Sequence, residues 1–434
     1  MKYKKSYYNI EVDKKIEDCI LIFNTVSCAL SLMDDRTYTI YSEIDKFEYD
    51  ENNFEDIKEI LDNGYIVPED FDEFNNIELQ HRFARYSASG ALHITIAPTM
   101  KCNMKCPYCY EFKENKDMSP IIQEKLVEFL KNYLSLNSEI KSLSVAWYGG
   151  EPLLKKDIIY KISEEVIKYC NENNIMYTSN IVTNGVLLDY NTAKTLKEQC
   201  LVSKAQITLD GMEQMNNQTR VLKSKENSFE IITNNIEAIK DIMKVSVRMN
   251  VSKSNISDCR KVVEYFNNKG WSEKVELYFS PVIAYENSSS ETKESCFTYE
   301  EFNDKYIELE QALVNNKLRD NVTYPINFFG CSALGVNSLV IDPEGNFCKC
   351  WHRINLPKYY IGNVYSGISL NKENMDWLML DVHDKCKKCN TLPVCRCGCP
   401  EMRLNTNNSP TCDFPEEHVK ELIYSYYQNM AENE

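Results

Sequence analysis

Short apolar or alternating runs and longer segments with apolar residues three or four apart follow one another along most of the chain. From about residue 92, six runs predict strands: LHITIAPT, SLSVAWYGG, YTSNIVTNG, KAQITLDG, VSVRMNV and VELYFSPV. Helical spacing fills the intervals, at about 120–134, 156–172, 190–200, 228–243 and 257–269. Strands that alternate with helices indicate parallel β/α units, so an α/β fold is predicted. Six units favour an incomplete barrel over a closed eightfold one.

The first of these helices has a clear start and a clear apolar face. Ser119 is a typical N-cap residue, and Pro120 suits the first turn. The residues of the predicted apolar face are Ile122, Leu126, Phe129, Leu130, Tyr133 and Leu134. This face should pack against the sheet of the barrel.

The segments on either side of the predicted barrel have different patterns. Residues 1–90 predict a small α+β domain, with a sheet formed by Tyr7 to Asp13 and Cys19 to Thr25. Residues 311–434 contain short strands such as SLVID, many loops and few core-forming runs. This segment should therefore need bound metal ions or clusters to hold its shape. We therefore predict three domains, at 1–90, 91–310 and 311–434.

Composition and charge argue against several classes of function. The 434 residues carry 49 basic and 65 acidic side chains, a net charge of −16, which argues against a nucleic-acid-binding surface. The N-terminus has no secretory pattern, and no apolar run approaches the roughly 18 residues of a membrane span. We therefore expect a cytoplasmic protein that does not bind membranes. Its 18 cysteines should be reduced there, and ligation of metals or clusters becomes the leading account of them.

Three cysteines form a compact motif directly after the first predicted barrel strand. Cys102, Cys106 and Cys109 have the spacing C-x3-C-x2-C. Three thiolates can bind three irons of a [4Fe–4S] cluster and leave the fourth iron open. A structural zinc site would need a fourth ligand, and this loop offers no further Cys or His.

This motif, in this place, resembles the signature of the radical S-adenosylmethionine (SAM) superfamily. The resemblance implies that Tyr108 presents its backbone to the adenine of SAM. It implies that Gly149, Gly150 and Glu151 bind the methionine amino group. By the same resemblance, the segment of Thr208 meets the ribose and Arg220 pairs with the SAM carboxylate. Thr183 ends the third strand, where a loop would face the active site. The chain departs from the family at Asn216, where a His is frequent.

The C-terminal cysteines form a second pattern. The intervals Cys331-x13-Gly345-x4-Cys350, then Cys386-x2-Cys389-x5-Cys395-x3-Cys399, and finally Cys412, resemble the seven-cysteine SPASM domain. The resemblance implies two auxiliary [4Fe–4S] clusters and therefore three in total. An outer cluster would be held by Cys386, Cys389, Cys395 and Cys412, and an inner one by Cys331, Cys350 and Cys399. Cys348 is the candidate for the missing eleventh ligand, Cys397 is another, and a substrate thiolate is the alternative. Two zinc sites would also fit the spacing.

The N-terminal segment resembles the winged-helix-like peptide-recognition domain of enzymes that modify ribosomally made peptides. Such a domain takes up a leader peptide as an added strand. The whole chain thus resembles a radical SAM peptide maturase, an oxidoreductase that receives electrons from a flavodoxin or ferredoxin. It would use a 5′-deoxyadenosyl radical to abstract hydrogen from a precursor peptide.

Thioether formation is the first prediction for the reaction, and a carbon–carbon crosslink, such as Lys to Trp, is the second. An anaerobic sulfatase-maturing activity is disfavoured, because such enzymes carry Asp where this chain has Trp351. A non-enzymatic zinc scaffold is the alternative from another class. No residue is assigned as a catalytic base.

Overall fold

The structure, a computed structural model, describes residues 1–16, 18–49, 54–87, 90–111, 115–284, 288–326 and 330–433. Its centre is a ten-stranded sheet, six strands of which are parallel and adjacent in chain order. These six are β6 (Ala91–Ile96), β7 (Ser142–Trp147), β8 (Met176–Thr183), β9 (Val202–Thr208), β10 (Lys244–Val251) and β11 (Val275–Pro281). The predicted incomplete barrel of six β/α units is thereby confirmed.

Helices connect these parallel strands. They are α4 (Pro120–Leu136), α5 (Lys156–Glu172), α6 (Tyr190–Cys200), α7 (Glu213–Thr219), α8 (Ser228–Ile239) and α9 (Cys259–Asn268). The side chain of Ser119 accepts a hydrogen bond from the Ile122 backbone N–H at 3.4 Å, so α4 begins where its N-cap predicts. Every fully buried leucine on its inner face stabilises the fold by about 1.5–3 kcal/mol.

The C-terminal part of the chain extends the same sheet beyond β6. Strand β12 (Ser338–Ile341) pairs in parallel with β6, with Ser338 opposite His93. Antiparallel pairing then adds β13 (Asn346–Cys348), β14 (Gly362–Asn363) and β15 (Gly367–Ile368). The remaining helices are α10 (Ser290–Ser295), α11 (Tyr299–Asn315), α12 (Lys372–Leu378), α13 (Leu392–Cys395), α14 (Pro400–Asn405) and α15 (Glu416–Asn433).

The N-terminal part forms two small antiparallel sheets and three helices. One sheet has the order β2 (Asn9–Ile16), β3 (Cys19–Asn24) and β4 (Leu30–Met33), and the other pairs β1 (Tyr3–Lys5) with β5 (Ile66–Pro68). The helices are α1 (Asp35–Ser42), α2 (Glu55–Asp62) and α3 (Glu73–Tyr86). Both predicted N-terminal strands are therefore present and paired.

Contacts cross all the predicted domain boundaries. The N-terminal sheet buries Ile10 and Phe23 against Val419 and Ile423 of α15. The guanidinium of Arg85 on α3 donates hydrogen bonds to the backbone carbonyls at the end of α12. The division at residues 90 and 310 remains a prediction, since β12 continues the barrel sheet and α15 packs on the N-terminal domain. Within the described ranges, no helix combines the length and the apolar character needed to cross a membrane.

Candidate active site

A cavity of about 270 Å³ opens at the rim where the parallel strands end. Its walls come from the loop after β6, the ends of β7 to β11, and one segment of the C-terminal part. Carboxyl ends of parallel strands meet at one edge, so side chains distant in sequence converge there. The lining includes Cys102, Cys106, Tyr108, Cys109, Gly149, Gly150, Thr183, Thr208, Arg220, Arg248, Trp351 and His352.

The three cysteines of the C-x3-C-x2-C motif lie on one wall of this cavity. Their loop is held by backbone pairing with the segment after α7, where Lys105 N–H donates to Val221 O at 2.8 Å and Lys223 N–H to Asn103 O at 2.9 Å. The sulfur of Cys102 accepts a hydrogen bond from the Met104 backbone N–H at 3.4 Å. The loop is therefore fixed at its base by the chain itself.

The glycine pair after β7 packs directly on the start of this loop. A Cβ at Gly150 would lie 2.3 Å from the carbonyl oxygen of Lys101, and Gly149 has a φ of +117°. Gly150 N–H donates to Thr99 O at 3.1 Å. Both glycines also line the cavity. The space left by the missing side chains thus admits the chain's own backbone as well as a ligand.

Glu151 is fully buried, and its carboxylate is engaged by protein donors. It accepts hydrogen bonds from Leu153 N–H at 3.1 Å, Thr183 Oγ1 at 2.7 Å and Asn184 N–H at 2.8 Å. Burial raises the pKa of this carboxyl, and the hydrogen bonds oppose that shift. Glu151 is not among the residues that line the cavity. To accept a hydrogen bond from the SAM ammonium as well, which is its predicted role, the carboxylate would need a lone pair that these three donors do not use.

Tyr108, which lies within the cysteine motif, is in contact with Arg220. Arg220 Nη1 donates to the Tyr108 hydroxyl at 3.1 Å, and that hydroxyl donates to the buried carboxylate of Asp210. Asn250 N–H also donates to Asp210, at 3.0 Å. The buried Nε of Arg220 has no hydrogen-bond partner among the described residues. A guanidinium with an unused donor at a cavity wall suits an incoming carboxylate.

The two threonines predicted to lie near SAM both line the cavity. The hydroxyl of Thr183 donates to Glu151 and accepts from Gly185 N–H at 3.1 Å. Thr208 ends β9 and is almost buried. Asn216, where the family often has His, is buried away from the lining and accepts a hydrogen bond from Asp210 N–H at 3.0 Å.

Four aromatic side chains form the remaining wall of the cavity. The sequence did not predict that they belong to the site. Trp351 lies 5.1 Å from Tyr148, and His352 lies 4.4 Å from Tyr110, measured between ring centroids. The hydroxyls of Tyr110 and Tyr148 share a hydrogen bond. Burial lowers the pKa of His352 to about 4, and the neighbouring Arg248 adds to this shift. Only the position of Trp351 directly after Cys350 could have pointed to this wall.

The C-terminal cysteines fall into two neighbourhoods. In the first, burial and the Glu401 carboxylate raise the pKa of the Cys350 thiol, and the nearby thiols of Cys331 and Cys399 add to the shift. Cys348 packs in a different apolar cluster, with Ala97, Met100, Val340 and Ile354. Its thiol donates to the carbonyl oxygen of Cys350 at 3.4 Å. Cys348 as the ligand that completes the inner cluster remains a prediction.

The second neighbourhood gathers Cys386, Cys389, Cys395 and Cys412 close enough for their charges to interact. Cys397, the other candidate for an eleventh ligand, lies here, buried in a cluster against which Cys386 and Cys389 pack. Among the described residues, no three His, Cys, Asp or Glu side chains stand at the separations that a single metal ion requires.

The cavity wall fits the group that the motif implies. Three thiols and Arg220 all line this cavity, and the Nε of Arg220 has no partner among the described residues, so iron and a carboxylate could both find partners there. Residues 96–266 match the family model of the radical SAM superfamily. The chain carries a radical SAM domain. This domain contains the cysteine motif, the glycine pair and Arg220, and domains of this kind use SAM and an iron–sulfur cluster.

Similar proteins extend the likeness beyond the radical SAM domain. The chain is 26% identical over 369 residues to a cysteine-type anaerobic sulfatase-maturating enzyme of Clostridium novyi (strain NT), covering 77% of this chain and 97% of that protein. Native anSMEcpe with bound AdoMet and the Kp18Cys peptide has a TM-score of 0.61 at 21% identity, covering 79% of this chain and 100% of that one. Streptococcus suis SuiB bound to precursor peptide SuiA has a TM-score of 0.51 at 13% identity, covering 96% and 99%. The two structural likenesses show a shared fold.

Proposed function

We propose that this protein is a radical SAM peptide maturase that forms an intramolecular thioether in a ribosomally made precursor peptide. One observation carries the proposal: Trp351 and His352 of the cysteine-rich C-terminal part line the same cavity as the three motif cysteines. A substrate group in that cavity would therefore lie between the SAM-binding cluster and the segment that leads to Cys350. The aromatic wall would exclude water around it.

The cofactors would supply the homolytic chemistry, and the chain would position the reactants. Cys102, Cys106 and Cys109 would hold the cluster and leave one iron for SAM. Arg220 would pair with the SAM carboxylate through the donor that has no partner in the described chain. Glu151 would lock the ends of β7 and β8 together, so that the glycine pair keeps its place beside the loop. A flavodoxin or ferredoxin would deliver the electron.

The choice of a thioether rests on the inner group of thiols. Cys331, Cys350 and Cys399 would supply three ligands to the inner auxiliary cluster. The packing of Cys348 in a separate cluster of buried side chains supports a fourth position that a substrate thiolate could take. A substrate sulfur held there would be near the carbon that loses hydrogen. The outer group would hold a second auxiliary cluster, which brings the proposed iron content to about twelve atoms per chain.

The N-terminal domain supports a peptide as the substrate. SuiB, which was solved with its precursor peptide, shares the fold over 96% of this chain, so the shared region includes most of residues 1–90. Strand β4 is an outer strand of the N-terminal sheet, and a leader peptide could add to such an edge. We therefore assign leader recognition to this domain.

Sulfatase maturation is the second candidate function. The alignment that covers 97% of the Clostridium novyi enzyme favours it. Trp351 in place of the Asp expected in such enzymes weighs against it. The length of this chain also weighs against it, because an alignment that covers 97% of the Clostridium novyi enzyme covers only 77% of this chain. The two functions differ in the peptide that is modified and in whether a crosslink forms.

Mass spectrometry can separate these functions. The full chain, reconstituted anaerobically with iron and sulfide, is incubated with SAM, a reductant and a cysteine-containing precursor peptide encoded beside its gene. The expected result is the loss of a pair of hydrogen atoms per crosslink, together with the loss of an alkylatable thiol. Modification of a sulfatase-derived cysteine peptide, with the precursor unchanged, would favour the second candidate. Stoichiometric zinc without sulfide would contradict both functions.

A further inference from the structure

Strand β10 carries a charged side chain on the face that looks into the barrel. Its residues Val245, Val247 and Met249 are buried in the main hydrophobic core. Because side chains alternate along a strand, Arg248 and Asn250 lie on the opposite face, and both line the cavity of the candidate active site. A guanidinium inside a protein is costly unless the fold or a ligand gives it partners.

The fold gives Arg248 partners, but these partners are uncharged. Its Nε donates to Asn250 Oδ1 at 2.9 Å, and its Nη2 donates to Ser280 Oγ at 2.9 Å. These bonds use two of the five guanidinium N–H groups and fix the orientation of its plane. Other buried or half-buried arginines of the chain, Arg319 and Arg353, pair with carboxylates. Among the described residues, no carboxylate lies within ion-pair distance of Arg248.

The acidic residues near the cavity have partners of their own. The buried carboxylate of Asp210 accepts a hydrogen bond from the Tyr108 hydroxyl, and the same hydroxyl accepts one from Arg220. Glu111 lines the cavity, but it is a neighbour of Tyr148. Burial raises the pKa of that tyrosine, and the charge of Glu111 adds to the rise. Both acids therefore leave the positive charge on β10 without a counter-ion from the described chain.

SAM can account for only one of the two guanidinium groups that line this cavity. SAM has a single carboxylate, and its proposed partner is Arg220, whose Nε is unused. A second fixed guanidinium on the same cavity suits a second anion, and a carboxylate matches its planar N–H groups. We propose that Arg248 binds a carboxylate of the precursor peptide inside this cavity, an inference that rests on the proposed function.

This assignment makes Arg248 a residue that determines specificity. The cavity has a volume of about 270 Å³, so a carboxylate bound there lies close to the carbon that loses hydrogen. A peptide with a neutral amide at the same place would leave the guanidinium unpaired, and such a peptide is rejected. The carboxylate comes either from an Asp or Glu side chain or from the C-terminus of the peptide.

Equilibrium binding of the peptide core tests this proposal. The probe is the labelled core segment of the precursor encoded beside the gene, without its leader, so the N-terminal domain does not contribute to the affinity. The reconstituted full chain with SAM is titrated with this core, with a form in which Asn and Gln replace Asp and Glu, and with a C-terminally amidated form. The change that removes the recognised carboxylate should weaken binding to the wild type roughly tenfold or more.

Variants at position 248 assign the effect to this guanidinium. Arg248→Gln should bind the unmodified core roughly tenfold more weakly, and it should bind the amide form no more weakly than the wild type does. Its loss of SAM affinity should be much smaller than its loss of core affinity. Arg248→Lys keeps the charge without the planar donors and should lie between the two. Arg260→Gln, at an exposed arginine of α9, is the matched control and should bind the core as the wild type does.

Three outcomes separate this inference from the proposed function. Equal affinity of the wild type for the core and for both amide forms would overturn the inference. A loss of SAM affinity in Arg248→Gln as large as the loss of core affinity would also overturn it, because Arg248 would then belong to the SAM site. A core that binds through its carboxylate but gains no crosslink contradicts the proposed function alone. If Arg248→Gln lacks the iron content or the near-UV circular dichroism of the wild type, Arg248→Lys becomes the decisive variant.

Discussion

Arg220 Nη1 lies 3.1 Å from the hydroxyl oxygen of Tyr108 and donates a hydrogen bond to it. Tyr108 belongs to the loop of the three cysteines, and Arg220 directly follows α7, so the bond joins two segments more than a hundred residues apart. The bridge between Met104 and Leu222 joins the same two segments through the backbone. The loop is therefore tied both to the guanidinium proposed to hold the SAM carboxylate and to the segment that follows it.

The first prediction concerns Tyr108→Phe. The variant loses the donor to the buried Asp210 and the acceptor for Arg220, and a lost hydrogen bond to a charged partner costs about 1–3 kcal/mol. We expect SAM to bind roughly tenfold more weakly to the reconstituted protein, measured by equilibrium binding. Tyr190→Phe, at an exposed tyrosine of α6, is the control. Equal SAM affinity in wild type and Tyr108→Phe would contradict a role for this bond in binding.

The second prediction distinguishes two roles of Glu151. In Glu151→Gln, the new amide group would face donors from Leu153, Thr183 or Asn184, so the free energy of unfolding should fall by about 2–3 kcal/mol in urea titrations. Glu172→Gln, at the exposed end of α5, is the control. Unchanged stability together with lost SAM binding would instead support the role that the sequence predicts, contact with the SAM ammonium.

The third prediction concerns the packing of the glycine pair. In Gly150→Ala, the added methyl group would collide with the Lys101 carbonyl, and the base of the cysteine loop must shift. We expect about four irons fewer per chain after reconstitution, because the loop cluster is lost. Gly270→Ala, at a left-handed turn with open space around it, should lose about 1 kcal/mol of stability and no iron. A full iron complement in Gly150→Ala would refute the prediction.

The fourth prediction concerns acid stability and His418 on α15. Burial lowers the pKa of His418 to about 4, while Asp304 of α11 opposes this shift. The unfolded chain binds the proton at about pH 6.5, so this contribution to stability is complete above that pH and falls on acidification towards pH 4. Between pH 6 and pH 5, the wild type should lose about 1 kcal/mol more than His418→Gln in urea titrations. His93→Gln, at an exposed histidine, should follow the wild type, and parallel curves for wild type and His418→Gln would disprove the assignment.

The barrel could be predicted from the sequence because its signals are local. Ser119 and Pro120 mark the start of α4, and the run 156–172 coincides with α5. Pairings across the chain carry no such signal. The addition of β12 to β6 and the packing of Val419 on the N-terminal sheet depend on contacts between segments hundreds of residues apart. These contacts make the three predicted segments one connected structure.

The candidate site could be predicted where a motif is contiguous. The three loop cysteines, the glycine pair and Arg220 lie around one cavity. The sequence could not show that Thr183 and Asn184 would donate hydrogen bonds to the Glu151 carboxylate, because these two residues lie at the end of a different strand. It also could not separate Cys397 from Cys348, since both lie near other cysteines in the chain. Only the fold packs Cys348 with Met100 and Val340, and Cys397 with Tyr8 and Ile77.

The packing of Tyr8 beside Cys386 and Cys389 has a consequence for assembly in the cell. Tyr7 and Thr25 add hydrogen bonds from the N-terminal domain to the carbonyls of Lys388 and Asn390, within the same cysteine segment. If bound iron orders that segment, these contacts with the N-terminal domain form only after iron has bound. The attachment of the N-terminal domain would then depend on the same short segment of chain that carries two of the proposed outer ligands, Cys386 and Cys389.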